Sequence, residues 1–62
     1  MKIKVTMFYA KPHIRSDEIE YIVDIPDKFE HGAVINPWIW SYAAEQAILN
    51  NDEYLIIGME VA

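Results

Sequence analysis

Four stretches of the chain carry a regular spacing of apolar positions, and their order predicts a fold. Residues 1–10, MKIKVTMFYA, alternate with period two: Ile3, Val5, Met7 and Tyr9 share one side, and Lys2, Lys4, Thr6 and Phe8 share the other. Residues 18–25, EIEYIVDI, repeat the pattern, with Ile19, Tyr21, Val23 and Ile25 opposed to Glu18, Glu20, Ile22 and Asp24. Period two is the signature of a half-buried strand, and two such runs joined by the polar stretch KPHIRSD at 11–17 predict an antiparallel hairpin. Lys2 and Lys4 then share a face with the carboxylates of the second strand, where opposite charges support the pairing. The last ten residues, EYLIIGMEVA, are rich in β-branched residues and predict a third strand. Strict alternation there groups Leu55, Ile57, Met59 and Val61 on one face, and Tyr54, Ile56, Gly58 and Glu60 on the other.

The stretch between the second and third strands changes period. Residues 36–52, NPWIWSYAAEQAILNND, combine a start signal, a helical spacing and an exit. Asn36 suits a cap and Pro37 the first helical position, where the missing N–H costs nothing. Ile35 can staple onto Trp40, and Asn50-Asn51 tolerates the left-handed backbone of a helix exit. Trp40, Ala43, Ala44, Ala47 and Ile48 form one stripe, whose alanines let a sheet approach closely, and this is the expected core face. Residues 26–35, PDKFEHGAVI, break the second strand at Pro26 and form a connecting loop, with Phe29, Val34 or both as tethers to the core. The expectation is a single α+β domain over residues 1–62, β-β-α-β in order. It is a two-layer arrangement of a three-stranded antiparallel sheet, order 2-1-3, with one helix on one face.

Apolar residues exceed what one core face needs. Trp38, Tyr42 and Leu49, with Glu45 between them, lie off the predicted core stripe. Either Trp38 and Tyr42 fold over the sheet edges and the long loop, or this line docks a partner, as aromatics at binding hot spots do. Phe8, Ile22 and Ile56 similarly point away from the predicted helix layer. Ringed by Lys4, Glu20, Asp24 and Glu60, they would have the apolar centre and charged rim of an interface.

Composition narrows the function classes. A 62-residue chain without cysteine has neither disulfides nor thiolate metal sites to stabilise it, and 53% hydrophobic residues or self-association must compensate. The net charge of −5, from ten acidic and five basic residues, disfavours nucleic-acid backbones and favours a basic protein surface. No apolar run reaches membrane-spanning length and no signal-peptide pattern precedes the first strand, so a cytoplasmic protein is expected. His13 and His31 lie in separate loops without carboxylates at ligand spacing. Ser16 and Ser41 lack a nucleophile context, and Gly32 and Gly58 stand alone and cradle no phosphate. Glu18 and Glu20 share an exposed strand face and are read as solvated. No catalytic residue, metal or cofactor is therefore assigned.

The passage at 43–62, AAEQAILNNDEYLIIGMEVA, resembles the C-terminal half of small phage-encoded inhibitors of bacterial RNA polymerase, which pair an Ala/Glu-rich helix with a closing strand on a three-stranded sheet. The resemblance covers about a third of the chain. It implies a stoichiometric inhibitor of a host enzyme or defence factor, acting in the host cytoplasm on bacterial RNA polymerase or another nucleic-acid enzyme. The candidate partner-binding residues, taken from the pattern of the chain alone, are Phe8, Glu18, Glu20, Ile22, Asp24, Trp38, Tyr42 and Glu45. The alternatives are a self-associating structural domain, forming a homodimer, and a small enzyme, for which one helix on three strands leaves little room for a pocket.

Overall fold

The computed structural model describes residues 1–27 and 37–62. Strands β1 (Lys2–Tyr9), β2 (Glu18–Asp24) and β3 (Tyr54–Val61) form an antiparallel sheet in the order β2-β1-β3, and helix α1 (Pro37–Asn50) lies between β2 and β3 in sequence. The expected β-β-α-β order and sheet order are both present. The Asn36 cap, the Ile35 staple, the Phe29 and Val34 tethers, His31 and Gly32 lie outside the described residues.

β1 is the central strand because its two faces differ completely. Ile3, Val5 and Met7 are buried in one core with the residues of α1, and Tyr9 is buried at the end of the strand, while Lys2 and Lys4 on the other face reach carboxylates of both neighbours. The register places Ile3 opposite Val23, Val5 opposite Tyr21 and Met7 opposite Ile19, so the apolar faces of β1 and β2 coincide. Val23 and Ile25 are buried with them, while Ile19 and Tyr21 pack at the margin. Lys2 pairs with Asp24 at 3.0 Å, and Lys4 bridges Glu20 at 3.0 Å and Glu60 at 2.7 Å. Alternation in sequence has become cross-strand charge pairing, as the hairpin reading required.

The helix faces the sheet along a different line from the one expected. Its buried residues are Ile39, Ala43 and Ala47, spaced i, i+4 and i+8. Trp40 and Tyr42 flank this line and pack against the core from either side, whereas Ala44 is only half-buried and Ile48 is exposed. The predicted stripe is thus rotated by roughly 60°, at about 100° per residue. Ala43 and Ala47 belong to both stripes. They let the backbone approach the sheet, and Ile39 is buried in the same core as Ile3 and Val5.

β3 also departs from strict alternation. Met7 is opposite Ile56 and Thr6 is opposite Gly58, so Ile57 is an extra residue and the strand carries a β-bulge. The bulge changes the phase of the strand. Tyr54 and Ile56 pack against the core together with Met59, while Leu55 and Ile57 are exposed. Ile56 therefore does not belong to the outer face.

Among the helix residues the consequence is a sharp contrast between two neighbouring alanines. Ala43→Asp should cost about 4 kcal/mol or more, by burying an unpaired charge between helix and sheet, and should abolish the cooperative melt. Ala44→Asp, at a half-exposed position, should leave a folded domain with a lowered Tm. Equal melts for the two variants would contradict the observed helix rotation.

Candidate interaction surfaces

The outer face of α1 is apolar at three positions. Trp38 is 69% exposed, Leu49 69% and Ile48 54%, with Glu45 also exposed on the same side. Trp38, Glu45 and Leu49 are seven and four residues apart, which returns each to nearly the same angle on a helix. Tyr42, expected on this line, instead packs against the core. The predicted aromatic stripe is therefore divided, with Trp38 outside and Tyr42 structural.

The outer sheet face separates residues expected to adjoin. Phe8 lies opposite Glu18 on β2 and Leu55 on β3, whereas Ile22 lies opposite Lys4. Four residues of β1 separate the two positions, about 13 Å along the strand. Phe8 lies across from the exposed Leu55 (61%), which alternation did not place there, and Ile57, the extra residue of the bulge, is exposed as well (58%). Glu20 and Asp24 are exposed but each pairs with a lysine, Lys4 and Lys2 respectively. Lys4 is held above its usual pKa by hydrogen bonds to Glu60 and Glu20, and Glu60 is pushed down by Lys4.

A third feature sits at one end of the sheet, where sequence reading saw only loop and strand ends. Helix α1 stops when Asn50 and Asn51 turn their side-chain amides onto the carbonyls of Gln46 (2.7 Å) and Ala47 (2.9 Å). The left-handed residue of the exit is not an asparagine. It is Glu53, at φ 67°, a conformation that residues with a Cβ disfavour. Side-chain bonds hold it there. The Tyr9 hydroxyl donates to Glu53 Oε2 at 2.9 Å, Lys11 Nζ lies 3.0 Å from Oε1, and the Glu53 carbonyl accepts from Ala10 N at 2.7 Å. Beside this, the rings of Tyr9 and Tyr54 meet edge to face, 5.5 Å apart. The Arg15 guanidinium covers Tyr9 at 4.2 Å and donates to the Tyr54 hydroxyl, which in turn donates to Asp17. Seven residues of the 10–17 loop, β1, β3 and the helix exit are thereby joined.

Four ionisations in this clasp move in the direction their hydrogen-bond partners demand. Hydrogen bonds from Lys11 and Tyr9 lower the Glu53 pKa. Donation to Glu53 raises Tyr9, donation to Asp17 raises Tyr54, and the bond to Glu53 raises Lys11. The clasp satisfies its own charges and hydrogen bonds, so it reads as a structural fastening. Its residues could have been suspected only from the pairing of Tyr9 with Tyr54, which needs the register.

Among the described residues no group of acidic or histidine side chains is placed to hold a metal ion, and no helix is long and apolar enough to cross a membrane. Searches for a matching protein family, for similar curated proteins and for similar solved structures find no match.

The clasp and the Lys4–Glu60 pair together predict a stability profile with two limbs. The lowered pKa values of Glu53 and Glu60 mean that their contribution is present above 4.5, the unfolded value, and is lost as pH falls below it. The raised values of Tyr9 and Tyr54 give a contribution present below 10.0, and those of Lys11 and Lys4 one present below 10.5; both are lost as pH rises further. Urea melts followed by circular dichroism should show a plateau between these limits. Glu53→Gln should lower the plateau and shrink the acid limb, leaving the part due to Glu60. An acid limb unchanged in that variant would remove Glu53 as its source.

Proposed function

We propose that this protein works as a binding module, docking stoichiometrically onto another protein through the outer face of α1. The observation that carries the reading is the exposure of Trp38, Ile48 and Leu49 together on one side of a helix whose opposite side is fully engaged. Large apolar side chains gathered on one face are what a hot spot is made of, and their exposed area is what a partner would cover. Glu45 on this face and the net charge of −5 favour a partner whose apolar contact area is surrounded by basic groups. Because Glu20 and Asp24 are already matched by lysines, the acidic strand contributes to long-range attraction more than to short-range pairing. An inhibitor of a host nucleic-acid enzyme, the role implied by the resemblance to the phage polymerase inhibitors, fits this mode of action: such enzymes present basic surfaces, and inhibition by occupancy requires no catalytic group.

Truncations separate docking from folding. Trp38→Ala and Leu49→Ala should leave the Tm within a few degrees of the parent. Tyr42→Ala should lose about 1–3 kcal/mol of folding stability, because it packs against the core. With the parent protein as bait in bacterial lysate, a discrete stoichiometric partner should be retained, and retention should fall with salt. Trp38→Ala should weaken that complex by about 2 kcal/mol, close to thirtyfold. A complex indifferent to Trp38→Ala, or a Trp38→Ala variant that fails to fold, would overturn the assignment of this face.

A further inference from the structure

We propose that the free edge of β2 takes up an extended, basic segment of a partner protein, which adds to the sheet as a fourth strand. β2 lies at one side of the β2-β1-β3 sheet, so among the described residues it is paired along its β1 side alone. Which of its backbone groups face outward follows from the ladder. Ile25 N donates to Met1 O and Tyr9 N donates to Asp17 O, each at 2.9 Å. Between these two bonds the register runs from Lys2 opposite Asp24 to Phe8 opposite Glu18 without a shift. Hydrogen-bonded positions alternate in an antiparallel pair, so Ile19, Tyr21 and Val23 turn their N–H and C=O groups toward β1. Glu18, Glu20, Ile22 and Asp24 turn theirs outward, a row of donors and acceptors that a further strand can pair. The other edge of the sheet has no such regular row, because the bulge at Ile57 breaks the spacing of β3.

Charge selects the occupant. Three of the four residues with outward backbone groups are acidic, so the carboxylates and the open peptide groups of this edge belong to the same positions. The lysines that reach Glu20 and Asp24 do so from β1, and Lys4 is divided between Glu20 and Glu60. Carboxylates thus outnumber ammonium groups across β2, and the surplus faces the open side. Two β2 edges brought together would set carboxylate against carboxylate, which disfavours a second copy of this chain as the added strand. A strand with Lys or Arg at alternate positions places a cation directly opposite Glu18, Glu20 and Asp24 instead. On the helix side of the sheet Ile19 and Tyr21 are half-buried at the margin of the core, so the intervening residues of the incoming strand are apolar and cover them. Main-chain bonds supply the affinity of such an added strand, and the carboxylates supply its approach and selectivity. Trp38, Ile48 and Leu49 on the outer face of α1 take no part in it.

Titration of the intact chain at low salt with the end-blocked peptide KVTVKVK, read by amide NMR and hydrogen exchange, tests this edge. Antiparallel pairing sets the peptide's lysines opposite Asp24, Glu20 and Glu18, and its threonine opposite Ile22. At saturation the amides of Glu18, Glu20, Ile22 and Asp24 should exchange about tenfold more slowly, while those of Ile19, Tyr21 and Val23, already bonded to β1, should change little. N-methylation of the peptide's lysines removes the N–H groups that face β2 and should weaken binding about tenfold or more. The same modification on its valines, whose N–H groups point away, should leave binding nearly intact. The peptide EVTVEVE should not bind, and Glu20→Lys should weaken KVTVKVK about tenfold without unfolding the domain. Trp38→Ala should leave the peptide affinity unchanged, so a failure here is distinct from a failure of the α1 surface. Absence of binding, equal loss from both methylation patterns, protection centred on α1, or β2 edge amides already protected by self-association without peptide would each overturn the assignment.

Discussion

A three-stranded sheet with one helix has a single interior, and every feature of this domain follows from which side chains occupy it. β1 decides the matter. Its four inward residues, Ile3, Val5, Met7 and Tyr9, are all buried, and the strand lies between two neighbours. Against that floor the helix can approach closely only along a line of small side chains, which Ala43 and Ala47 supply. Once those two alanines are seated, the rotation of the helix is set, and with it the choice of what remains outside.

That constraint explains why so much apolar surface is left over. The helix is apolar around most of its circumference, and a sheet can cover only one side of it. Seating Ile39, Ala43 and Ala47 places Trp40 and Tyr42 at the margins and excludes Trp38, Ile48 and Leu49. On β3 the bulge has a comparable effect. It keeps Tyr54, Ile56 and Met59 against the core across a change of phase, and it leaves Leu55 and Ile57 exposed beside Gly58. The two leftover surfaces sit on opposite layers of the domain.

The polar interactions divide by position in the fold. The lysines of β1 stitch the sheet across its outer face, where solvent limits what any one ion pair contributes. The clasp around Glu53 acts at the end of the sheet, where the chain leaves the helix and must turn sharply into β3. There the hydroxyl of Tyr9, the ammonium of Lys11 and the backbone of Ala10 converge on one residue in an unfavourable backbone conformation. Local strain at a junction is held by contacts from distant parts of the chain, which is how such residues persist.

The amino-acid sequence by itself determined the elements, their order and the inward face of β1, because period-two alternation is a local property that needs no partner to be read. It also determined the pairing of Lys2 and Lys4 with the acidic strand, since charge and strand face are both legible in a hairpin. Only the tertiary structure decided the helix rotation. Ile39 and Ile48 are equally apolar as residues, and the distinction between them comes from the fit of the alanine line onto β1. The bulge at Ile57 was hidden for the same reason: alternation assumes regular pairing, whereas the phase of a strand is set by its neighbour. The division of Trp38 from Tyr42, the separation of Phe8 from Ile22 and the gathering of Tyr9, Arg15, Asp17, Glu53 and Tyr54 all depend on register and packing angle. These relate residues far apart in the chain, and no local spacing encodes them.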